Sequence, residues 1–436
     1  MTDLTRDDCL ALDRGDALAP LRQLFTLPPG MLYLDGNSLG AMPTATAGRL
    51  QQVVQQQWGQ QLIASWNPAG RLHWPQQVGD KIAQLVGAAP GEVVAADTTS
   101  INLYKVLHVA LQLQHADAPQ RRVIVSEREN FPTDLYIAQS LAQQFGCTLK
   151  LVDAHEIPAQ LNADLAVLLL TQVNYRSGAL HDMAALNTAA HAAGALVVWD
   201  LAHSAGALPV QLNGSGTADG ADAADFAIGC GYKYLNGGPG APAFAWLHAR
   251  HARRMDAQQL WQPLSGWLGH AAPFAFTPDY KPAAGVNRFV CGTPSILGLA
   301  ALDCGVDTLL AAQPLGGLAA LRAKSLALGD LFIRLVQQRC AGHGLELATP
   351  QAHAQRGSQV SLRRVPDDDG GAYAIVQALI ARGMVGDYRE PAILRFGFTP
   401  LYLGFADVWD AVDRLHAVLA SGEWREPRFH QRGTVT

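Results

Sequence analysis

The residue with the clearest chemical promise is a lysine ringed by glycines. It lies in Ala227-Ile228-Gly229-Cys230-Gly231-Tyr232-Lys233-Tyr234-Leu235-Asn236-Gly237-Gly238-Pro239-Gly240, directly after an apolar run. A lysine taken out of water loses its proton more readily, attacks carbonyls and forms Schiff bases. Glycines beside it let a flat ligand approach the backbone closely. The run is no Walker motif, because G-x-x-x-x-G-K-[ST] is absent. Asp200 stands 33 residues upstream, at the end of Val198-Trp199-Asp200-Leu201-Ala202-His203. A carboxylate after a buried strand is costly to bury without a partner, and a pyridinium N–H is one such partner. Asp200 with His203 also fits a metal site or a plain helix cap, although no third ligand follows at helical spacing. Thr98-Thr99-Ser100 opens a helical pattern after another apolar run; hydroxyls and N–H groups there cradle a phosphate or simply cap the helix. Asn130-Phe131-Pro132-Thr133-Asp134 is a second turn of the same kind. Each feature alone is ordinary. Phosphate cradle, strand-end acid and then lysine is the order expected for a pyridoxal-phosphate site.

Such groups work only if rigid elements bring them together. From about residue 90, apolar runs at 92–96, 122–126, 147–152, 164–170 and 195–199 predict strands, and 132–145 and 181–193 predict helices. Runs without polar alternation belong to strands buried on both faces, hence to an α/β fold with a mainly parallel sheet. Ligands of such sheets sit beyond the carboxyl ends of the strands, where the residues above lie. Strand-like sequence resumes at Asp225, so 213–222 reads as a surface loop. Helical periods after Thr293, with strand-like 358–363 and 393–396, predict a smaller α+β domain. At the front, Thr5 caps a helix with Asp7 and Asp8 in its first turn, and 31–34 reads as a short strand. Pro43 opens a helix whose Gln-rich stretch 51–61 keeps a helical period through Leu50, Val53, Val54 and Trp58. The expected division is an N-terminal arm over 1–35, a large cofactor-binding α/β domain over 36–285 and a small α+β domain over 286–436.

With 436 residues, 49% hydrophobic and 16% charged, the chain can bury a large core over two or three domains, which argues against disorder. The net charge of −5 gives no reason to expect nucleic acid or an anionic membrane as partner. The basic run Arg250-His251-Ala252-Arg253-Arg254 accordingly reads as a solvated helix face. Six scattered cysteines without a C-x-x-C pair argue against a zinc finger or redox dithiol and fit free thiols in a reducing compartment. His248 and His251 lie one turn apart with no acidic third ligand evident, so no metal is expected. The stretch that begins Met1-Thr2-Asp3 has no basic n-region leading into an apolar core, and the apolar run 165–170 is too short to span a bilayer. A cytoplasmic location is expected.

Tyr232-Lys233-Tyr234-Leu235-Asn236 together with Asp200-Leu201-Ala202-His203 resembles the kynureninase family. The likeness continues through Leu34-Asp35-Gly36-Asn37-Ser38-Leu39-Gly40, Phe131-Pro132-Thr133-Asp134, Gly266-Trp267-Leu268-Gly269-His270 and Arg395-Phe396-Gly397-Phe398-Thr399-Pro400-Leu401-Tyr402. It implies the pyridoxal-phosphate-dependent transferase-like fold (fold type I). It also implies a hydrolase that cleaves L-kynurenine to anthranilate and L-alanine in tryptophan degradation, with 3-hydroxy-L-kynurenine a second candidate substrate. By this resemblance Lys233 holds pyridoxal 5′-phosphate, Asp200 pairs with the pyridinium nitrogen and His203 lies close to the ring. Phe131 stacks on the ring, and Pro132, Thr133, Asp134 and Thr171 belong to the cofactor shell. Thr99, Ser100 and Tyr232 bind the phosphate, with Tyr232 also a proton relay. Trp267 and Thr293 resemble positions that reach the cofactor across a homodimer interface. Arg395 resembles the arginine that grips the substrate α-carboxylate, and Gly292 and Thr293 face the aromatic ring. Animal members carry Ser and Asn at the last two positions, so selectivity for ring substituents is expected to differ here. A cysteine desulfurase needs a mobile catalytic cysteine, whereas Cys304 and Cys340 sit in helix-like sequence. An aminotransferase is told apart by release of the cofactor in its amine form. A non-catalytic protein on this fold would be expected to lose Lys233, Asp200 or Arg395, and all three are present.

Overall fold

A computed structural model describes residues 4–216, 220–366 and 370–433. Residues 1–3, and 217–219 within the expected surface loop, lie outside the described residues. The chain divides into two compact units. One comprises Thr46–Asn174 and His181–Val306; the other comprises Met1–Ala45, Tyr175–Leu180 and Asp307–Thr436.

The first unit is built on a seven-stranded sheet. Its strands are β1 (Val93–Ala95), β2 (Val123–Glu127), β3 (Thr148–Val152), β4 (Leu165–Thr171), β5 (Leu196–Asp200), β6 (Phe226–Gly229) and β7 (Phe244–Leu247). They lie in the order β1-β7-β6-β5-β4-β2-β3. Strands β2 to β6 run parallel, and β7 runs antiparallel to both its neighbours. All seven residues of β4 are buried, as expected of a strand covered on both faces. Strand β3 alternates instead, exposing Thr148 and Lys150, because it is an edge, and a lysine there discourages further pairing. Leu103, Val106, Leu107 and Ala110 of the helix Thr99–Asp117 pack with Ile124, Val167, Val198 and Ile228 in one core. Each fully buried aliphatic side chain of this kind contributes about 1.5–3 kcal/mol. The fold is therefore α/β around a mainly parallel sheet.

The second unit carries an antiparallel sheet of β8 (Leu345–Leu347), β9 (Gln359–Arg364), β10 (Asp387–Arg389) and β11 (Ile393–Gly397), in the order β8-β9-β11-β10. The N-terminal helix Arg6–Arg14 starts at Thr5, which forms a reciprocal capping box with Asp8. It belongs to this unit: Asp13 accepts the Phe405 and Ala406 N–H groups at 2.6 and 3.0 Å, at the start of the helix Phe405–Ser421.

Two readings of the sequence are corrected. Pro43 does not open the following helix; it pairs with Phe25, and the helix is Thr44–Gln52, widening into a π-helical turn at Val53–Trp58. With the period broken, Val53 is buried while Val54 and Trp58 are exposed. The basic run is not simply solvated. Asp225 is wholly buried, and Arg250, His251 and His191 turn onto its carboxylate, which a buried charge requires. Burial pushes the Asp225 carboxyl up, but the hydrogen bonds from His191 and His251 and the nearby Arg250 outweigh it and hold the carboxyl far below the usual range. Among the described residues one stretch, Ile296–Leu315, is long and apolar enough to cross a membrane by length and composition, and half of it is buried inside the protein, as in a core helix. It escapes a search for unbroken apolar runs because Asp303 and Asp307 interrupt it.

Candidate active site

Strand ends of the parallel sheet place the lysine, the acid and their companions within reach of one another. Asp200 is the last residue of β5 and only 3% exposed; its Oδ1 accepts the Ala202 N–H at 2.7 Å. The chain turns there because Leu201 N–H bonds to Ile228 of β6, drawing 200–203 over the sheet end. His203, also buried, puts Nε2 3.3 Å from Lys233 Nζ. Lys233 is half-buried, with Nζ 5.9 Å from the centre of the Phe131 ring and 5.7 Å from that of Tyr232.

The loop that carries Lys233 is fixed by close backbone packing. A Cβ on Gly231 would lie 2.2 Å from the Pro242 carbonyl oxygen, and one on Gly237 2.7 Å from that of Gly231. Glycine is required at both by space alone. Asn236 adopts φ 56°, the left-handed region in which asparagine is the best-tolerated non-glycine residue.

Around the lysine, Asn130 links two more strand ends. Its Oδ1 accepts both the Phe131 N–H, at 2.6 Å, and the Thr171 hydroxyl. Phe131 precedes the helix Pro132–Phe145 and is 40% exposed. Pro132 is exposed, Thr133 half-buried and Asp134 buried. Asp134 lies against Asp200, and burial followed by the charge of Asp200 pushes its carboxyl well up. Burial also raises Asp200, with Lys233 opposing. Two adjacent buried acids with one amine beside them are short of positive charge, and Asp134 Oδ2 has no hydrogen-bond partner. A protonated ring nitrogen is the chemical group this arrangement suits.

The turn Thr98-Thr99-Ser100 opens a 19-residue helix, capped by the Thr98 hydroxyl on the Ile101 N–H at 3.3 Å. Thr99 and Ser100, both half-buried, sit in its first turn, where unsatisfied N–H groups favour an anion. Trp267 is 37% exposed; its ring centre lies 6.3 Å from that of Trp66 and 5.8 Å from that of Phe274. Thr293 is exposed and Gly292 half-buried, and a Cβ at Gly292 would meet nothing within 4 Å.

Arg395 belongs to the other unit, on β11, and is 1% exposed. Its Nε donates to Asp387 Oδ1 at 2.8 Å, and Nη2 donates to Asp387 Oδ2 and, at 2.8 Å, to Ser38 Oγ. Nη1 donates to the Tyr175 carbonyl at 2.6 Å. The guanidinium fork is thus already taken by an internal carboxylate, which no local sequence pattern discloses. Asp387, Ser38 and Asn130 are polar residues to which the sequence alone assigns no role. Ser38 lies within a motif shared with the family, but only the fold brings it to Arg395. The Asp35 carboxyl is pushed up to about 7, chiefly by burial and next by Asp387, against the pull of Arg395.

The chain matches two family descriptions, "Aminotransferase class-V" over residues 73–338 and "Kynureninase C-terminal domain" over 321–415. It is 53% identical over 435 residues to proteins named kynureninase from Burkholderia pseudomallei (strain K96243) and Pseudomonas fluorescens, covering 99% of this chain and 100% of each relative. Among solved structures it is similar to a cysteine desulfurase from Thermococcus onnurineus NA1, with TM-score 0.73 and 18% identity over 92% of this chain and 98% of that one. A cysteine desulfurase from Escherichia coli gives TM-score 0.73 and 20% identity over 93% and 99%. At such identities these two structures bear on the fold alone.

Proposed function

Because the chain belongs to the kynureninase family, a pyridoxal-phosphate-dependent one, we propose that it hydrolyses the Cβ–Cγ bond of L-kynurenine to anthranilate and L-alanine. The observation that carries this reading is the cluster of Lys233, His203, Asp200, Asp134 and Phe131 at the carboxyl ends of parallel strands. Pyridoxal 5′-phosphate, when bound, supplies an aldehyde for amines and a pyridinium ring that draws electrons from the bond being broken. The cluster suits it: Asp200, with Asp134 beside it, would receive the ring N–H, Phe131 would cover a ring face with Pro132, Thr133 and Thr171 around it, and Thr99, Ser100 and Tyr232 would hold the phosphate. Lys233 would anchor the cofactor, and its amine, when free, would move the proton from the substrate Cα. The Tyr232 hydroxyl relays a proton while water adds to the γ-carbonyl. The water oxygen ends in the carboxylate of anthranilate, and Cβ gains the proton that completes alanine.

Arg395 takes the α-carboxylate of the substrate in this reading. Arg395→Lys keeps the charge but loses the planar array of donors, so KM for kynurenine should rise about 10- to 100-fold with cofactor content unchanged. Steady-state kinetics beside a cofactor assay checks this, and an unchanged KM would remove Arg395 from substrate binding.

Kynurenine should be preferred over its 3-hydroxy form. Gly292 offers no side chain to a ring hydroxyl, and Thr293 offers one short hydroxyl beside a methyl. An unpaired buried phenol costs about 1–3 kcal/mol, roughly a five- to hundredfold difference in kcat/KM. A higher kcat/KM for the 3-hydroxy compound would refute the argument.

The active unit is proposed to be a homodimer in the cytoplasm. The support for the dimer is a run of aromatic contacts from the half-buried Trp66 through the exposed Trp267 and Phe274 to Phe276, the last of them 80% exposed, an apolar surface of the kind a partner covers.

A further inference from the structure

We propose that Asp387 is a positioning residue that aims Arg395 at the substrate carboxylate, an inference that rests on the reading of Arg395 given above. Asp387 stands on β10 directly opposite Arg395 on β11, so their side chains leave the same face of the sheet at neighbouring positions. Both are 1% exposed, and both carboxylate oxygens are committed to the guanidinium, one to Nε and one to Nη2. Ser38 closes the arrangement: its hydroxyl donates to Asp387 Oδ2 at 2.7 Å and accepts from Arg395 Nη2 at 2.8 Å. A guanidinium has five N–H donors. Four are engaged here, two of them by Asp387, and the remaining one is on Nη1, beside the bond to the Tyr175 carbonyl. Asp387 therefore decides which edge of Arg395 a substrate carboxylate meets.

The charges leave room for that carboxylate. Arg389 Nη2 also reaches Asp387 Oδ2, at 2.6 Å, so two arginines share one carboxylate. The other acid of the cluster is Asp35, which burial and Asp387 keep disposed to hold a proton. The phenols facing it, Tyr33 and Tyr402, are both pushed up by burial and stay neutral. With Asp35 protonated the group carries one unmatched positive charge, which a single incoming carboxylate neutralises.

The test compares kynurenine with its decarboxylated amine, which presents the same ring and amine without the carboxylate. In Asp387→Asn the amide cannot accept two charge-assisted bonds from Arg395. KM for kynurenine should rise about tenfold or more while kcat stays within about threefold. The inhibition constant of the amine should not change, so the advantage of kynurenine over the amine collapses. A residue that only supports the fold would weaken both ligands together and lower cofactor content. Asp387→Glu keeps the charge and guards against failure to fold; its carboxylate is displaced by one methylene, and it should show the same selective loss in smaller measure. Wild-type discrimination in folded Asp387→Asn, or in Asp387→Glu where the first does not fold, overturns the proposal. Arg395→Gln separates the two levels. If it too leaves discrimination intact, the carboxylate reading of Arg395 fails; if it abolishes discrimination while the Asp387 variants do not, only the positioning role fails.

Discussion

Lys233→Ala protein should be purified with no cofactor bond that borohydride can fix, and its turnover should fall by roughly a thousandfold or more. In the proposed mechanism the substitution removes both the amine that anchors the cofactor and the base that moves the Cα proton, and each role alone accounts for orders of magnitude. Nothing nearby replaces it: His203, the nitrogen group 3.3 Å away, cannot form a Schiff base. The fold should survive, because the loop is held by the backbone packing of Gly231 and Gly237 rather than by the lysine side chain. The check is reduction with borohydride followed by mass measurement; a reducible cofactor bond in this variant would reassign the anchor. Mixing Lys233→Ala subunits with inactive Trp267→Ala subunits extends the test to the dimer. If Trp267 serves the partner's site, hybrid dimers regain one intact site and part of the activity. A fully active monomer in sedimentation would show that the site needs no partner.

Asp200→Asn should keep much of its cofactor and lose turnover by about 100-fold or more, the scale found when a preorganised electrostatic partner of a transition state is removed. An amide has nearly the shape of the acid, so the proposed binding through the helix N-terminus at Thr99 and through Phe131 should persist. A neutral amide no longer favours the charged pyridinium, and a ring without that charge is a poor electron sink. Relief of the crowding between Asp134 and Asp200 should lower the Asp134 carboxyl from its raised position. Absorbance of the bound cofactor measures occupancy and steady-state rates measure turnover; near-normal rates would show that Asp200 does not control the ring nitrogen.

Much of the site is legible in the sequence because its residues sit at the ends of strands whose apolar runs mark them. Asp200, Thr171 and Lys233 each follow such a run, and ligands gather at the carboxyl ends of parallel strands. The helix Pro132–Phe145 is legible through its proline start and its glycine end at Gly146. Strand β7 is not, since Phe-Ala-Trp-Leu is short, and four apolar residues carry no information about direction. The ring of partners around Arg395 is hidden for another reason. Ser38 lies 357 residues from Arg395, and a bond across that distance leaves no local pattern. The turn of Arg250 and His251 onto Asp225 is hidden similarly, because the buried acid that attracts them is 25 and 26 residues away and looks like any aspartate at the start of a strand.

Strand β7 also has a consequence for how the protein is made. In the sheet β1 pairs with β7 alone, and Ala95 lies opposite Phe244, so its partner is synthesised roughly 150 residues later. At the usual speed of a ribosome that is a delay of roughly 8–30 s. The helix Trp74–Val86 can cover one face of β1 early, since Gly79 lets it sit directly against Val93, but the open hydrogen-bonding edge waits. During that interval the nascent chain offers an apolar strand edge to any neighbour, and chaperones that shield such edges become part of the conditions for a good yield. Fragments ending before Phe244 lack that partner altogether and are expected to aggregate.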